Sequence, residues 1–340
     1  MIPRPPRPAR KGFTLLELLV SLALFLLLAG VSAWMISAAQ RVWGRASAQA
    51  EQFRTARQAL DLIAERVAQA TLNPYWQVAY DDNGQPLRYE RASELRFRSG
   101  PAATLLPGVT AGGSVGSAIF FQSPTGYRSD GSGEPGEALN TWGYFVEYGS
   151  DAGYRPPFLT PAGVPPAHRY RLVELLDPSD QLTLFGHSSG HPDYDGVEWF
   201  TEPAAKPGHK RVLAENVIAF VVLPRLSRLE DAAGFDLAPA LAYDSTERRP
   251  QARINPRHQL PPVLEIAAVV IDERSAARVE WGTTPPDLGV DFTALFHEAD
   301  QMEADLAAVR DALTRRGLDA RIFRQSVPLV SARWSHEQTN

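Results

Sequence analysis

Charged side chains are missing from one long stretch near the start of the chain. Residues 18–40 carry none, are rich in Leu and Ala, and hold Ser21, Ser32 and Ser37 as their interior polar positions. As a helix these 23 residues rise about 34 Å, enough to cross a hydrocarbon core of about 30 Å. Past Gln40 the apolar residues change period. Val42, Ala46, Ala50, Phe53, Ala56, Leu60, Ile63 and Val67 recur every three or four positions, a single apolar stripe on a continuing helix. Arg45, Glu51, Arg54, Arg57, Asp61 and Glu65 fall mostly on other faces, and Arg57 and Asp61 are spaced for a weak i,i+4 pair. Asn73-Pro74 ends the run, so the pattern predicts one helix over 13–72. The stripe fits either a coiled-coil dimer stem or packing against the protein's own sheet. Ala at three of its eight positions makes a thin coiled-coil seam and favours the sheet.

Downstream the period shortens to that of strands. Segments 77–80 and 87–90 flank Asp81-Asp82-Asn83-Gly84, a hairpin turn signal because Asn-Gly readily takes positive φ. Further strands are expected at 94–98, 117–122, 142–148, 169–175, 181–185 and 197–200. The apolar runs 217–223 and 263–271 suit central strands covered on both faces, one of them by the stem. Met302, Leu306, Val309 and Leu313 mark an amphipathic helix from about Glu298 to Gly317, and 320–327 reads as a last strand. Gly-, Pro- and Ser-rich stretches at 99–116, 123–140 and 150–166 read as long surface loops. No internal repeat or composition break divides the remainder. The expected class is α+β, a long N-terminal helix packed on a mainly antiparallel β-sheet head.

Charge then orients the molecule. Residues 1–12 hold Arg4, Arg7, Arg10 and Lys11, no acid, and four prolines that prevent helix. The whole chain carries a formal charge of −5 over 340 residues, so nothing points to a nucleic-acid partner. The cationic flank before the apolar span places the leader in the cytoplasm and the bulk on the other side; Arg41 and Arg45 weaken that asymmetry without reversing it. With no cysteine, disulfides, thiolate metal sites and cysteine nucleophiles are excluded.

A secretory signal would have a shorter apolar region of roughly 7–15 residues and a small-residue cleavage site. A plain signal anchor accounts for the span but gives no special role to Glu17. An acid near a helix N-terminus at the headgroup level is also ordinary in itself.

The segment Lys11-Gly12-Phe13-Thr14-Leu15-Leu16-Glu17-Leu18-Leu19-Val20 resembles the prepilin cleavage and methylation motif of type IV pilins and type II secretion pseudopilins. That resemblance implies cleavage after Gly12 by a prepilin peptidase, N-methylation of the new terminal Phe13, and assembly with other pilin or pseudopilin subunits from the bacterial inner membrane. It also implies that Glu17 pairs with a neighbouring subunit's N-terminal amine. Major pilins usually carry a proline where this chain has Trp34, which favours a minor or pseudopilin-like subunit. The division expected is a leader over 1–12, a transmembrane and assembly helix over 13–40, a stem over 41–72 and a periplasmic head over 73–340. Phrases at 69–76, 143–159, 213–225 and 260–274 are similar to the Verru_Chthon cassette protein C group, prepilin-like proteins of Verrucomicrobia. That likeness supplies no catalytic residues.

The head offers a few chemical candidates. Gly186-His187-Ser188-Ser189-Gly190 satisfies G-x-S-x-G, but a nucleophile elbow needs a strand before it and a helix after it, and His191-Pro192-Asp193 follows. His187, His191, Asp193 and Asp195 supply four N/O donors within nine residues. Gly190 and Pro192 oppose the helix that would align the two histidines, so a solvated loop is expected. Residues 130–134 lack the ligand order of a calcium loop. No nucleotide-binding signature is present. A structural subunit without a cofactor, and not an enzyme, is the expectation.

Overall fold

The computed structural model describes residues 15–108, 115–126, 128–129, 138–186, 194–206, 208–249 and 254–335; for position 38 and positions 41–51 it describes the backbone only. The chain divides into two compact units, Met1–Glu51 and Gln52–Asn340. Helix α1, Leu15–Ala68, contributes to both.

In the first unit the helical residues 15–36 are exposed throughout. In the second, the apolar stripe of α1 is buried as its spacing predicts: Phe53, Ala56, Leu60, Ile63 and Val67 all join the core. Val42, Ala46 and Ala50 lie outside the described side chains. Arg57 and Asp61 approach to 4.0 Å with both side chains largely exposed, a pair worth little. The helix ends four residues earlier than expected. Its last turn closes through the Gln69 and Ala70 amides, which donate to the Arg66 and Val67 carbonyls. Asn73 takes a positive φ of 42° before Pro74.

A hairpin follows, β1 (Tyr75–Tyr80) with β2 (Pro86–Ala92), antiparallel and forming a sheet of its own. Asp81 Oδ1 accepts from the amides of Asn83 and Gln85, and Gly84 takes φ 76°. The Asn-Gly signal is realised here. Strand β3, Phe97–Pro101, starts later than the 94–98 expected, and it runs into a short helix α2, Ala102–Leu105. The stretch read as a loop from 99 therefore begins with regular structure.

Strands β4 (Ser117–Gly126), β5 (Ala138–Ser150) and β6 (His168–Asp177) form the middle of a six-stranded antiparallel sheet. The order is completed by β7 (Lys210–Glu215) on one edge and by β3 and β9 (Tyr243–Asp244) on the other. β4 and β5 extend into the stretch expected to be loop over 123–140.

The second sheet is three-stranded: β8 (Val217–Arg225), β10 (Val263–Ile271) and β11 (Ala320–Pro328), with β10 central. β8 and β10 coincide with the two apolar runs and are buried nearly end to end. β8 lies against β4, β5 and β6, so the core is shared between the two sheets. Helix α4 (Glu273–Ala276) is capped by Asp272, whose side chain accepts from the Ser275 amide. Helix α5 (Met302–Arg315) buries Met302, Leu306, Val309 and Leu313 as read, and Gly317 at φ 70° follows its end.

Two expected strands are corrected. Residues 181–185 form short 3-10 turns, Ser179–Gln181 and Thr183–Phe185. Residues 197–200 lead into helix α3, Glu198–Ala205, which buries Trp199, Phe200, Pro203 and Ala204. The Phe200 ring stacks on Phe120 of β4 at 4.1 Å. That spacing of one, three and one is a helix face, which a four-residue window reads as strand. The molecule is α+β, a long N-terminal helix followed along the chain by mainly antiparallel sheets.

Candidate functional site

In the first unit, Leu15–Ser37 forms a 23-residue helical stretch apolar and long enough to cross a membrane. Leu15, Leu19, Phe25, Leu28, Trp34 and Ile36 are all more than half exposed. Leaving so many apolar side chains in water is unfavourable at about 25 cal/mol per Å², so lipid or other helices must cover them. The backbone satisfies itself as a helix, which hydrocarbon demands. Two of the serines do the same: the Ser21 hydroxyl donates to the carbonyl of Glu17 at 2.7 Å, and the Ser37 hydroxyl to that of Trp34 at 2.9 Å.

Glu17 is the single charged residue over 15–40. It is exposed and sits in the first turn of the described helix. Gly12 and Phe13 lie outside the described residues.

The head candidates are mostly not described. His187, Ser188, His191 and Asp193 lie outside the described residues, as do positions 130–134. Asp195 is described, and its carbonyl accepts from Arg98 Nη1 at 3.4 Å. The strand required before a nucleophile elbow is replaced by the 3-10 turns at 179–185. Among the described residues no three His, Asp or Glu side chains gather as metal ligands would.

Where the last turn of α1 meets the head, a polar cluster emerges that no spacing in the sequence announces. Arg66 lies over the Trp142 ring at 3.9 Å and pairs with Glu174 of β6. Arg211 of β7 reaches the other oxygen of the same carboxylate, Oε1, at 2.7 Å, and the Tyr144 hydroxyl donates at 3.2 Å to Oε2, the oxygen that Arg66 holds. Burial, with the charge of Arg211 also opposing, lowers the Arg66 pKa, and burial pushes the Tyr144 phenol upward. A cavity of about 230 Å³ is bordered by Arg66, Trp142, Glu174 and His209. Next to it, the Asp177 carboxylate takes the Thr183 amide at 2.7 Å and lies 3.4 Å from His209 Nδ1. Arg66 and Glu174 are 108 positions apart, so only the fold brings them together. The cluster fastens helix to sheet.

Comparison with known proteins bears on the N-terminus alone. A family model described as the prokaryotic N-terminal methylation motif matches residues 7–33. No curated protein matches the chain, and no solved structure does. The chain thus carries a prepilin-type methylation motif, of the kind found in pilin and pseudopilin precursors, leading into a helix of membrane-spanning length.

Proposed function

We propose that the protein is a minor pilin-like or pseudopilin-like structural subunit, processed after Gly12, methylated on Phe13, and assembled through its N-terminal helix into an envelope filament or secretion pseudopilus. The observation that carries this reading is the exposed helix Leu15–Ser37 with one carboxylate at its start, overlapped by the methylation motif. A carboxylate among packed spans in lipid costs about 2.5–3.5 kcal/mol at the bilayer centre and less toward the interface. A cationic amine on a neighbouring subunit offsets that cost, and two such charges are tolerated together far better than either alone. Glu17 thereby fixes the axial register of one subunit against the next. The basic leader stays cytoplasmic, the head is periplasmic, and the partners are a prepilin peptidase and other pilin-type subunits. The scattered phrases similar to the Verru_Chthon cassette protein C group support a kinship with prepilin-like proteins of that kind.

Intact-mass analysis of chain isolated from membranes of its own host tests the processing: the expected species starts at Phe13 and carries one added methyl group. A chain retaining residues 1–12 overturns the reading. Glu17→Ala tests assembly, with normal cleavage expected but at least a tenfold drop in incorporation into filaments. Cleavage with incorporation unaffected overturns the assembly role of Glu17, whereas a cleaved parent chain that never enters filaments points instead to a membrane-anchored binding module that does not polymerise.

A further inference from the structure

The β1–β2 hairpin pairs Trp76 with Arg91 and Val78 with Tyr89, and directly paired residues project on the same face of an antiparallel ribbon. Trp76 and Tyr89 are 54% and 72% exposed there, and Tyr80 and Leu87, beyond a register shift after Ala79, are also more than half exposed. Arg91 lies over the Trp76 ring at 5.6 Å, so a guanidinium flanks the aromatic row. A two-stranded ribbon is marginal alone. This one is tied down by Arg91 to Gln259 at 2.5 Å, Arg248 to Glu90 at 3.0 Å and Tyr75 to Glu94 at 2.5 Å. Tethered in this way, the aromatic face is held outward.

The β5–β6 connection presents the complementary chemistry. Residues 155–166 contain five prolines, Pro156, Pro157, Pro161, Pro165 and Pro166, with Phe158 and Val164 exposed beside them. The loop is built rather than slack. Asp151 and Ala167 bond at its base, and the Val164 amide donates to Leu159. Pro156 has φ −56° and ψ 135°, close to polyproline II, before the chain turns through a 3-10 helix at Pro157–Leu159. Val164 and Pro165 each precede a proline, which drives both toward the same extended conformation. Exposed Trp and Tyr rings are the surface that recognises such proline segments, because the rings stack on pyrrolidine faces at little entropic cost.

The two surfaces are rooted at opposite ends of one sheet. The hairpin enters β3 at Phe97, which aligns through Phe121 with Trp142 of β5, whereas the proline loop leaves β5 at Ser150. Eight residues of strand separate those levels, about 26 Å. We propose that the aromatic hairpin face of one copy takes the proline loop of a second copy, in a head-to-tail contact. A heterologous contact of this kind repeats along an open fibre wherever its rotation does not close into a ring. For its partner the inference rests on the assembly reading above.

Cross-linking tests it separately. The chain has no cysteine, so Tyr89→Cys and Val164→Cys each introduce a sole thiol at an exposed position. The two full-length variants, differently tagged, are co-expressed and oxidised in membranes. The expected product is the mixed dimer, disulfide-linked between position 89 of one variant and position 164 of the other, at least tenfold above either like-with-like dimer. Adding Trp76→Ser and Tyr80→Ser to the Tyr89→Cys chain should reduce it at least tenfold. Like-with-like dimers in equal yield, or no dimer while filaments form, overturn the head contact and leave the assembly reading intact. A mixed dimer that persists in membranes of a Glu17→Ala strain without filaments supports the head contact as independent of Glu17. A parent chain that gives the mixed dimer but never enters filaments supports the head contact while counting against the assembly reading.

Discussion

At the scale of single residues, Asp177 shows how burial and pairing compete. Its carboxylate is fully buried at the end of β6, holding the Thr183 amide with one oxygen. Burial raises its pKa above the ordinary 3.8, and the opposing pull of Thr183, His209 and Lys206 does not restore it. A raised pKa means that the folded chain binds this proton more tightly than the unfolded chain. The favourable contribution is therefore present below the unfolded value and fades as pH rises through the folded one. Asp177→Asn keeps an oxygen for the Thr183 amide and removes the charge. Its thermal midpoint, followed by circular dichroism, is expected to exceed that of the parent at pH 7, with the difference shrinking toward pH 4. A variant less stable than the parent at pH 7 would show that the His209 contact outweighs the desolvation. No reading of the sequence singles out Asp177, because its partners come from a 3-10 turn taken for a strand and from a residue just before β7. Glu17, by contrast, is legible at once, since it interrupts an otherwise uncharged span.

At the scale of elements, the long apolar runs and the Asn-Gly turn are legible because each is a local rule. β8, β10, α5 and the β1–β2 hairpin fall where the pattern puts them. Segments 181–185 and 197–200 fail for a different reason. Both are short and aromatic, and their shape is decided by what they pack on: Trp199 and Phe200 meet Phe120 from a helix. Long-range approach also governs Gly116, which precedes β4 at φ 77° and bridges to Phe220 of β8. A Cβ there would overlap the Phe220 carbonyl. Gly116→Ala combines left-handed strain with that clash, and is expected to cost more than about 2 kcal/mol in chemical denaturation. Gly84→Ala, in open space at φ 76°, should cost only about 1 kcal/mol. Equal losses at both sites would mean that the two sheets can separate to admit the methyl.

At the scale of the molecule, the head's core is incomplete without the second half of α1. Phe53, Leu60, Ile63 and Val67 all belong to it, Ile63 and Val67 with no exposed surface. Removing a core side chain of that size costs about 2–5 kcal/mol, against a total stability of about 5–15 kcal/mol. A chain starting at Gln52 is therefore expected to unfold cooperatively, with native near-ultraviolet dichroism. One starting at Trp76 should show neither. If the shorter chain melts at the same temperature, the helix is an accessory and not part of the fold.

The way α1 is fastened also fixes how the head answers to pulling. Phe53 engages Phe323 and Arg321 on β11, and Arg66 is clamped by Glu174 on β6. The Ala68 carbonyl accepts from Val330, and Thr71 donates to Gln122 on β4. Tension applied along the axis of this helix loads those attachments side by side, so they must give way together in shear. A force applied across the axis would peel them one after another, and would detach the helix under a much smaller load.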